Sequence, residues 1–334
     1  MQQPAWFAKY ASVLTSWLRG ITQRLHRIAV DPAVAVGRVL LKERTDPTRE
    51  AWGESGRLWM PANREIEISV VMPAYNAGSG LRPAVDRLMD VMESEGIGYE
   101  LIVVDDGSTD DSIETLSDLS RQVRIVELPA NRGKGGALHA GFSRARGSWV
   151  GFVDSDGDID PAHLVEYLKV GRATGADMVY ADKKHRESVS ASSPFRKMVS
   201  LTFSRLVTTL FSLGVHDTQT GCKLIKREVL ADILPRLRET RFAFDLELFV
   251  AATSAGYTSA VAAPVELQAR MSGSTVSRSA IIRTLKDALV VLARRHSTHT
   301  YQEAVRPGVR VYVKGAPTGG AQVPPSRPQS GGAA

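Results

Sequence analysis

Asp154, Asp156 and Asp158 alternate along the segment Asp154-Ser155-Asp156-Gly157-Asp158. Carboxylates crowded this way ask for a cation. Hard divalent ions such as Mg²⁺ or Mn²⁺ take oxygen ligands of this kind while also holding substrate phosphates. An Asp/Gly surface turn is the plainer account, and a fragment of a calcium loop is a third. The calcium account weakens because the twelfth position of such a loop, counted from Asp154, is Val165, with Glu166 one residue late. Asp105 and Asp106, in Asp105-Asp106-Gly107-Ser108, either cap a following helix or accept hydrogen bonds from a nucleobase or ribose. In Asn131-Arg132-Gly133-Lys134-Gly135-Gly136 the glycines permit close backbone approach, and Lys134 offers a charge for phosphate. The spacing is neither a Walker loop nor the dinucleotide G-x-G-x-x-G, so a nicotinamide enzyme has little support.

The elements that must position these residues are legible as apolar runs. Ile68 to Met72, Leu101 to Val104, Val123 to Leu128, Trp149 to Val153 and Met178 to Tyr180 read as strands. Val85, Leu88, Met89 and Met92 share one face of an intervening helix, and Leu138, Phe142 and Ala145 mark another, opened by the Gly-rich stretch. The alternation predicts an α/β protein with a mostly parallel sheet flanked by helices. In such sheets ligands bind at the carboxyl ends of the strands. Pro73-Ala74-Tyr75-Asn76, Asp105-Asp106 and Asp154-Ser155-Asp156 all fall there. Beyond about residue 185 the rhythm changes to an apolar and basic stretch from Phe195 to Val215, then polar loops, then a last helical stretch from Ile281 to Arg294.

The 334 residues, 43% hydrophobic and 23% charged, suit a folded domain with a sizeable core. A net charge of +6 does not discriminate among nucleic acid, anionic lipid and phosphorylated substrates. Cys222 is the only cysteine, which excludes an intrachain disulfide and fits a reducing, cytoplasmic setting. No stretch approaches the roughly 20 apolar residues of a spanning helix. Residues 1–30 read instead as an amphipathic helix, with Trp6, Phe7, Tyr10, Leu14 and Trp17 on one face and Lys9, Arg19 and Arg24 among them. Such a helix either packs on the protein or lies in a membrane interface. Residues 31–65 form a connector, 66–295 one domain divided near 165, and 315–334 a Pro/Gly/Ser-rich tail expected to be disordered.

In order, VVMPAYN, ELIVVDDGSTDDS, NRGKGGAL and WVGFVDSDGDIDP resemble the successive motifs of the family 2 glycosyltransferases of GT-A fold, over about residues 66–165. DTQTGCKLIKREVL (217–230) and FAFDLELFVAA (242–252) are similar to the dolichyl-phosphate glucosyltransferase and mannosyltransferase branch, leaning toward the glucosyl enzymes. The resemblance implies that Pro73, Ala74, Tyr75, Asn76, Asp105 and Asp106, with Gly107 and Ser108, line a nucleoside pocket, and that Lys134 sits near it. Asp154 and Asp156 would hold a metal bridging the donor diphosphate. Asp158 stands where mannosyl relatives carry a Gln ligand. Arg196 and Ser200 have the spacing of an acceptor-phosphate pair, Lys183 occupies a place where relatives often have Arg, and Arg270 resembles a diphosphate-binding Arg. Gly273-Ser274-Thr275 departs from the relatives' Gly-Ser-Lys.

The implied reaction is an inverting, metal-dependent transfer of a hexose from a nucleotide-sugar donor, UDP-glucose first and GDP-mannose second, to a polyprenyl or dolichyl phosphate. A lipid phosphate is already anionic and needs positioning and charge screening by Arg196 and Lys183 more than a base. A sugar hydroxyl acceptor would require a carboxylate base, with Asp245 and Glu247 as candidates. Their plainer role is to order the pocket or place charge at a helix start. A different class is a catalytically silent protein that binds sugar nucleotide at a membrane. Within 194–215, Phe195, Met198, Leu201, Phe203, Leu206, Leu210 and Phe211, with interleaved basic residues, read as interfacial helices or as a buried pair. The expected setting is peripheral, on the inner face of a membrane, with no nucleic-acid partner.

Overall fold

A computed structural model describes residues 63–119, 123–190, 213–215, 217–241, 243–267, 278–297 and 300–301, with Ser204, Val207, Leu210 and Phe211 as isolated positions. Nine strands run β1 (Ile68–Ala74), β2 (Tyr99–Asp105), β3 (Val123–Glu127), β4 (Trp149–Val153), β5 (Met178–Ala181), β6 (Val189–Ser190), β7 (Cys222–Lys226), β8 (Ala260–Ala263) and β9 (Glu266–Leu267) among the described residues. The longer helices are α1 (Leu81–Ser94), α2 (Lys134–Phe142), α3 (Ala162–Thr174), α4 (Arg227–Ile233), α5 (Phe244–Ser254) and α6 (Arg278–Ser297).

Seven strands form one sheet in the order β3-β2-β1-β4-β7-β5-β8, and β6 pairs with β9 beside it. All neighbours in the large sheet are parallel except β7, which runs antiparallel to both β4 and β5. The period-two alternation of a strand divides its side chains between two cores. Val71, Ile102, Val104, Val150 and Phe152 face α2, α4, α5 and α6. Val70, Leu101, Val103 and Val153 face α1 and α3. Apolar residues are therefore needed at consecutive positions, which is why these strands read as continuous apolar runs.

The expected mostly parallel, helix-flanked sheet is what forms, and each of the five expected strands is present. The stretch read as polar loops after residue 215 contains β7, α4, α5 and β8. Lys223 hides β7: it interrupts the apolar run, yet its side chain is buried. The 194–215 stretch is described only in part. Its Val207 and Phe211 pack into the core beside α5, with Leu210 against them, so Phe211 is an interior residue rather than an interfacial one. The 1–30 helix, nearly all of the 31–65 connector and the tail lie outside the described residues. Among the described residues no helix is long and apolar enough to cross a membrane.

Burial fixes one titration. His139 on α2, its Nε2 3.2 Å from the Leu234 carbonyl, has its pKa pushed down to about 4 from the usual 6.5, chiefly because burial disfavours the charged ring. The unfolded chain then binds a proton that the folded one refuses as pH falls from 6.5 toward 4. Stability is therefore expected to drop across that window. Denaturant titrations at several pH values, repeated on His139→Gln, check this: the variant should lose part of the slope.

Candidate active site

The strand ends are laced together before any ligand arrives. Asn76, held at φ 48°, donates its N–H to Ser108 Oγ at 3.0 Å and accepts the Thr109 N–H on Oδ1 at 2.8 Å. Asp105 Oδ1 accepts the Ser108 N–H at 2.9 Å. Asp106, 3% exposed, accepts the amides of Arg132 (2.7 Å) and Gly133 (2.8 Å). Neither aspartate caps a helix; Asp105 closes its own loop and Asp106 ties that loop to the Gly-rich one. Burial raises the Asp106 pKa, against the pull of the two amides.

The Gly-rich segment packs closely against the polypeptide. A Cβ on Gly133 would lie 2.6 Å from the Thr240 carbonyl oxygen, and one on Gly135 would lie 2.6 Å from Phe244 Cβ. The Gly136 N–H donates to the same Thr240 carbonyl at 3.0 Å. The loop is thus moulded onto Glu239, Thr240, Arg241 and Phe244, and Lys134 projects from it.

Lys134 Nζ lies 2.8 Å from Asp154 Oδ1, 3.0 Å from Oδ2 and 3.7 Å from Asp245 Oδ2. On the far side of Asp245, Lys223 Nζ donates to its Oδ1 at 2.5 Å and to the Thr220 carbonyl at 2.8 Å. The Phe152 ring sits beneath both ammonium groups, at 5.2 and 5.0 Å from its centroid. Burial works against both members of the Lys134–Asp154 pair. For Lys134 the surrounding aspartates outweigh burial and its pKa rises; for Asp154 burial prevails over Lys134, and its pKa rises too.

Lys134, Asp154 and Asp245 line a cleft of about 310 Å³ with Pro73, Ala74, Tyr75, Asp106, Ala137, Ser155, Asp156 and Gln219. Tyr75, 50% exposed, stands at its lip. Asp106, Asp154, Asp156 and Asp245 outnumber Lys134 and Lys223, so the cleft has carboxylate charge to spare for a cation. A hollow of about 360 Å³ opens beyond Asp154, between α1 and residues 157–161. Its other ionised lining is the Arg87–Asp160 pair, at 2.9 Å, and the reactive groups gather in the smaller cleft.

Asp158 is corrected as a third metal ligand. Its N–H closes a tight turn onto Asp156 Oδ1 at 3.0 Å, with Gly157 at φ 69°, and its side chain is not part of the cleft wall. Among the described residues no three His, Cys, Asp or Glu side chains gather into a set able to hold a metal ion. Asp154 and Asp156 both line the cleft, and Asp154 holds the Lys134 ammonium against both oxygens. Mg²⁺ and ions like it are commonly held by one or two carboxylates, with substrate phosphates completing the shell.

Glu247 is corrected as a candidate base. It is fully buried, and its Oε2 accepts the amides of Arg238 and Glu239, both at 2.7 Å. Its Oε1 accepts from Tyr301 Oη at 2.5 Å and Arg294 Nη1 at 3.2 Å. Asp245 does reach the cleft, engaged by lysines on both sides. Lys183 lies apart from the cleft wall, with its Nζ 3.7 Å from Asp217. Arg196, Ser200 and Arg270 lie outside the described residues. Sequence reasoning missed Gly221, Lys223 and Gln219. All belong to the DTQTGCK segment, where a glycine and a lysine flanking a cysteine inside an apolar run were the available signal.

A mostly parallel sheet covered on both faces, with a lysine and carboxylate cleft across its strand ends, is the architecture of the GT-A class. Residues 69–234 match the Glycosyl transferase family 2 model. That part of the chain is a family 2 glycosyltransferase domain. The dolichyl-phosphate beta-glucosyltransferase of Homo sapiens is 34% identical over 199 residues, covering 54% of this chain and 61% of that protein. The Saccharomyces cerevisiae protein of the same name is 32% identical over 212 residues, 57% and 64% respectively. The chain thus spans less than two thirds of these relatives. Glucosyl-3-phosphoglycerate synthase of Mycobacterium tuberculosis, solved with Mn²⁺, UDP-glucose and phosphoglyceric acid, superposes with a TM-score of 0.53 at 22% identity, covering 68% of this chain and 80% of that one. Mannosyl-3-phosphoglycerate synthase of Rubrobacter xylanophilus gives 0.55 at 18% identity, with 73% and 79% covered. At such identities the likeness establishes the fold.

Proposed function

We propose that this chain transfers a hexose, with inversion, from a nucleotide sugar to a polyprenyl phosphate, with UDP-glucose as the donor. The observation that carries the reading is the cleft in which Asp154, Asp156 and Lys134 converge beside an exposed Tyr75 at the sheet's carboxyl edge. The names of the eukaryotic relatives support glucose as the sugar and the acceptor class.

Tyr75 offers a flat face on which a nucleobase stacks, with Pro73 and Ala74 continuing the wall. Asp105, Asp106, Gly107 and Ser108 fix the loops that shape this pocket. Asp154 and Asp156 would hold Mg²⁺ or Mn²⁺, which when bound neutralises charge on the departing diphosphate. Lys134 adds a second positive charge beside them, and its bonds to Asp154 keep it aimed there. The acceptor phosphate brings its own nucleophilic oxygen, so the chain has to position it and screen its charge. Arg196, Ser200 and Arg270 are assigned to phosphate contacts, and Lys183 to the outer field. Asp245 serves charge balance between Lys134 and Lys223, which disfavours the hydroxyl-acceptor alternative that needs it as a base. The setting that fits such an acceptor is the inner face of a membrane, bound peripherally.

Purified protein with Mg²⁺ or Mn²⁺, polyprenyl phosphate in detergent and labelled UDP-glucose or GDP-mannose tests this. Label entering the lipid phase from UDP-glucose is expected, and Asp156→Ala should lower it by at least about a hundredfold. No lipid product from either donor would overturn the acceptor; product from GDP-mannose alone would overturn the donor.

A further inference from the structure

Glu247, Arg294 and Tyr301 form a buried polar knot that takes no part in lining the cleft, and it is tied to the loop at Arg238 and Glu239. From α6, Arg294 Nη1 donates to Glu239 Oε1 at 2.7 Å as well as to Glu247. From α5, Glu247 takes the amides of Arg238 and Glu239 on a single oxygen. The next residue, Thr240, carries the carbonyl that receives the Gly136 N–H and fills the space against Gly133. Between those glycines stands Lys134. Every link from Arg294 to Lys134 is a hydrogen bond or a contact too close for a Cβ, so the loop has little freedom to shift independently.

We infer that the Glu247–Arg294–Tyr301 knot is a positioning group for Lys134, reaching the cleft through the 238–240 backbone and the Gly-rich loop. It acts on the donor's phosphate field without touching donor. The meaning given to Lys134 rests on the function proposed above, whereas the mechanical link does not. A carboxylate suits the knot because one charge accepts two amides, a phenol and a guanidinium at once. The guanidinium, buried beside two glutamates, has its pKa moved upward: burial opposes the charge and Glu247 and Glu239 outweigh it.

The test uses the ligand-free full chain with isotope-labelled lysine, so its outcome is separate from whether sugar transfer is observed. The ammonium resonance of Lys134 is assigned by its disappearance in Lys134→Met. Glu247→Gln is expected to speed proton exchange at the Lys134 ammonium by about tenfold. Lys223, more deeply buried and held from β7 by the Thr220 carbonyl as well as by Asp245, should keep its rate. Tyr301→Phe removes one hydrogen bond, leaves the carboxylate in place, and should act in the same direction with smaller size. An unchanged Lys134 rate in Tyr301→Phe overturns the inference. So does parallel acceleration of Lys134 and Lys223, which would make the knot a general fastener.

Discussion

Replacing Gly221 by alanine is expected to cut sugar transfer by about a hundredfold or more, although the residue bears no functional group. An alanine Cβ at this position would lie 1.9 Å from Asp154 Oδ2 and 2.6 Å from its Cγ. No rotamer of alanine relieves such an overlap; either the strand start or the aspartate must move. The strand start is the stiffer party, since β7 is hydrogen-bonded to β4 on one side and β5 on the other. Asp154 therefore swings, and with it goes its contact with Lys134 and its alignment with Asp156. The check is the transfer assay on Gly221→Ala beside thermal unfolding. A variant that keeps its melting temperature and loses turnover fits the argument; one with normal turnover would show that Asp154 has room the geometry denies it.

Lys223→Met is expected to have the largest effect on stability. The ammonium and the Asp245 carboxylate are both nearly solvent-free, with side-chain exposures of 1% and 3%. Removing one member of a buried pair strands the other, at a cost of about 3–5 kcal/mol. Here the lower end applies, because Lys134 remains 3.7 Å from Asp245 and takes up part of the charge. Urea unfolding measures the loss directly. Adding Asp245→Leu to Lys223→Met should return much of it, since an apolar pair of similar volume removes the stranded charge. A single-variant loss below about 1 kcal/mol would place the pair with exposed ion pairs in worth and sink the prediction.

The parts of the molecule that could be read in advance share one physical property. β1, β2 and β4 are mostly apolar because helices cover both faces, the buried Ser69–Glu100 pair being the exception, and each gives way to the polar residues that form the rim. Where burial is carried by charged residues the pattern fails. Lys223 in β7 reads as a surface residue until its partner Asp245 is seen. Nine consecutive residues of α5, Phe244 to Ala252, are buried, Asp245 and Glu247 among them, so this helix shows no polar face to betray its period. The same blindness affected roles. Glu247 resembled a base because a carboxylate in an apolar segment attracts notice, and only the partners on both its oxygens reveal a fastener. The Gly-rich loop suggested close backbone approach without saying to what, and the polypeptide at Thr240 is one surface it meets.

The reversed direction of β7 also bears on how the chain is made. β4 is complete by residue 153, but the strand that closes its open side begins at Cys222. On the ribosome the order β3-β2-β1-β4 therefore exists for a time as half a sheet, with the wholly apolar β4 at its margin. Bare strands of this kind are templates for joining other chains. The nascent protein is thus most exposed to self-association over the interval between those two strands. A ribosome stalled there, or a fragment ending before β7, carries an adhesive border that the finished molecule conceals.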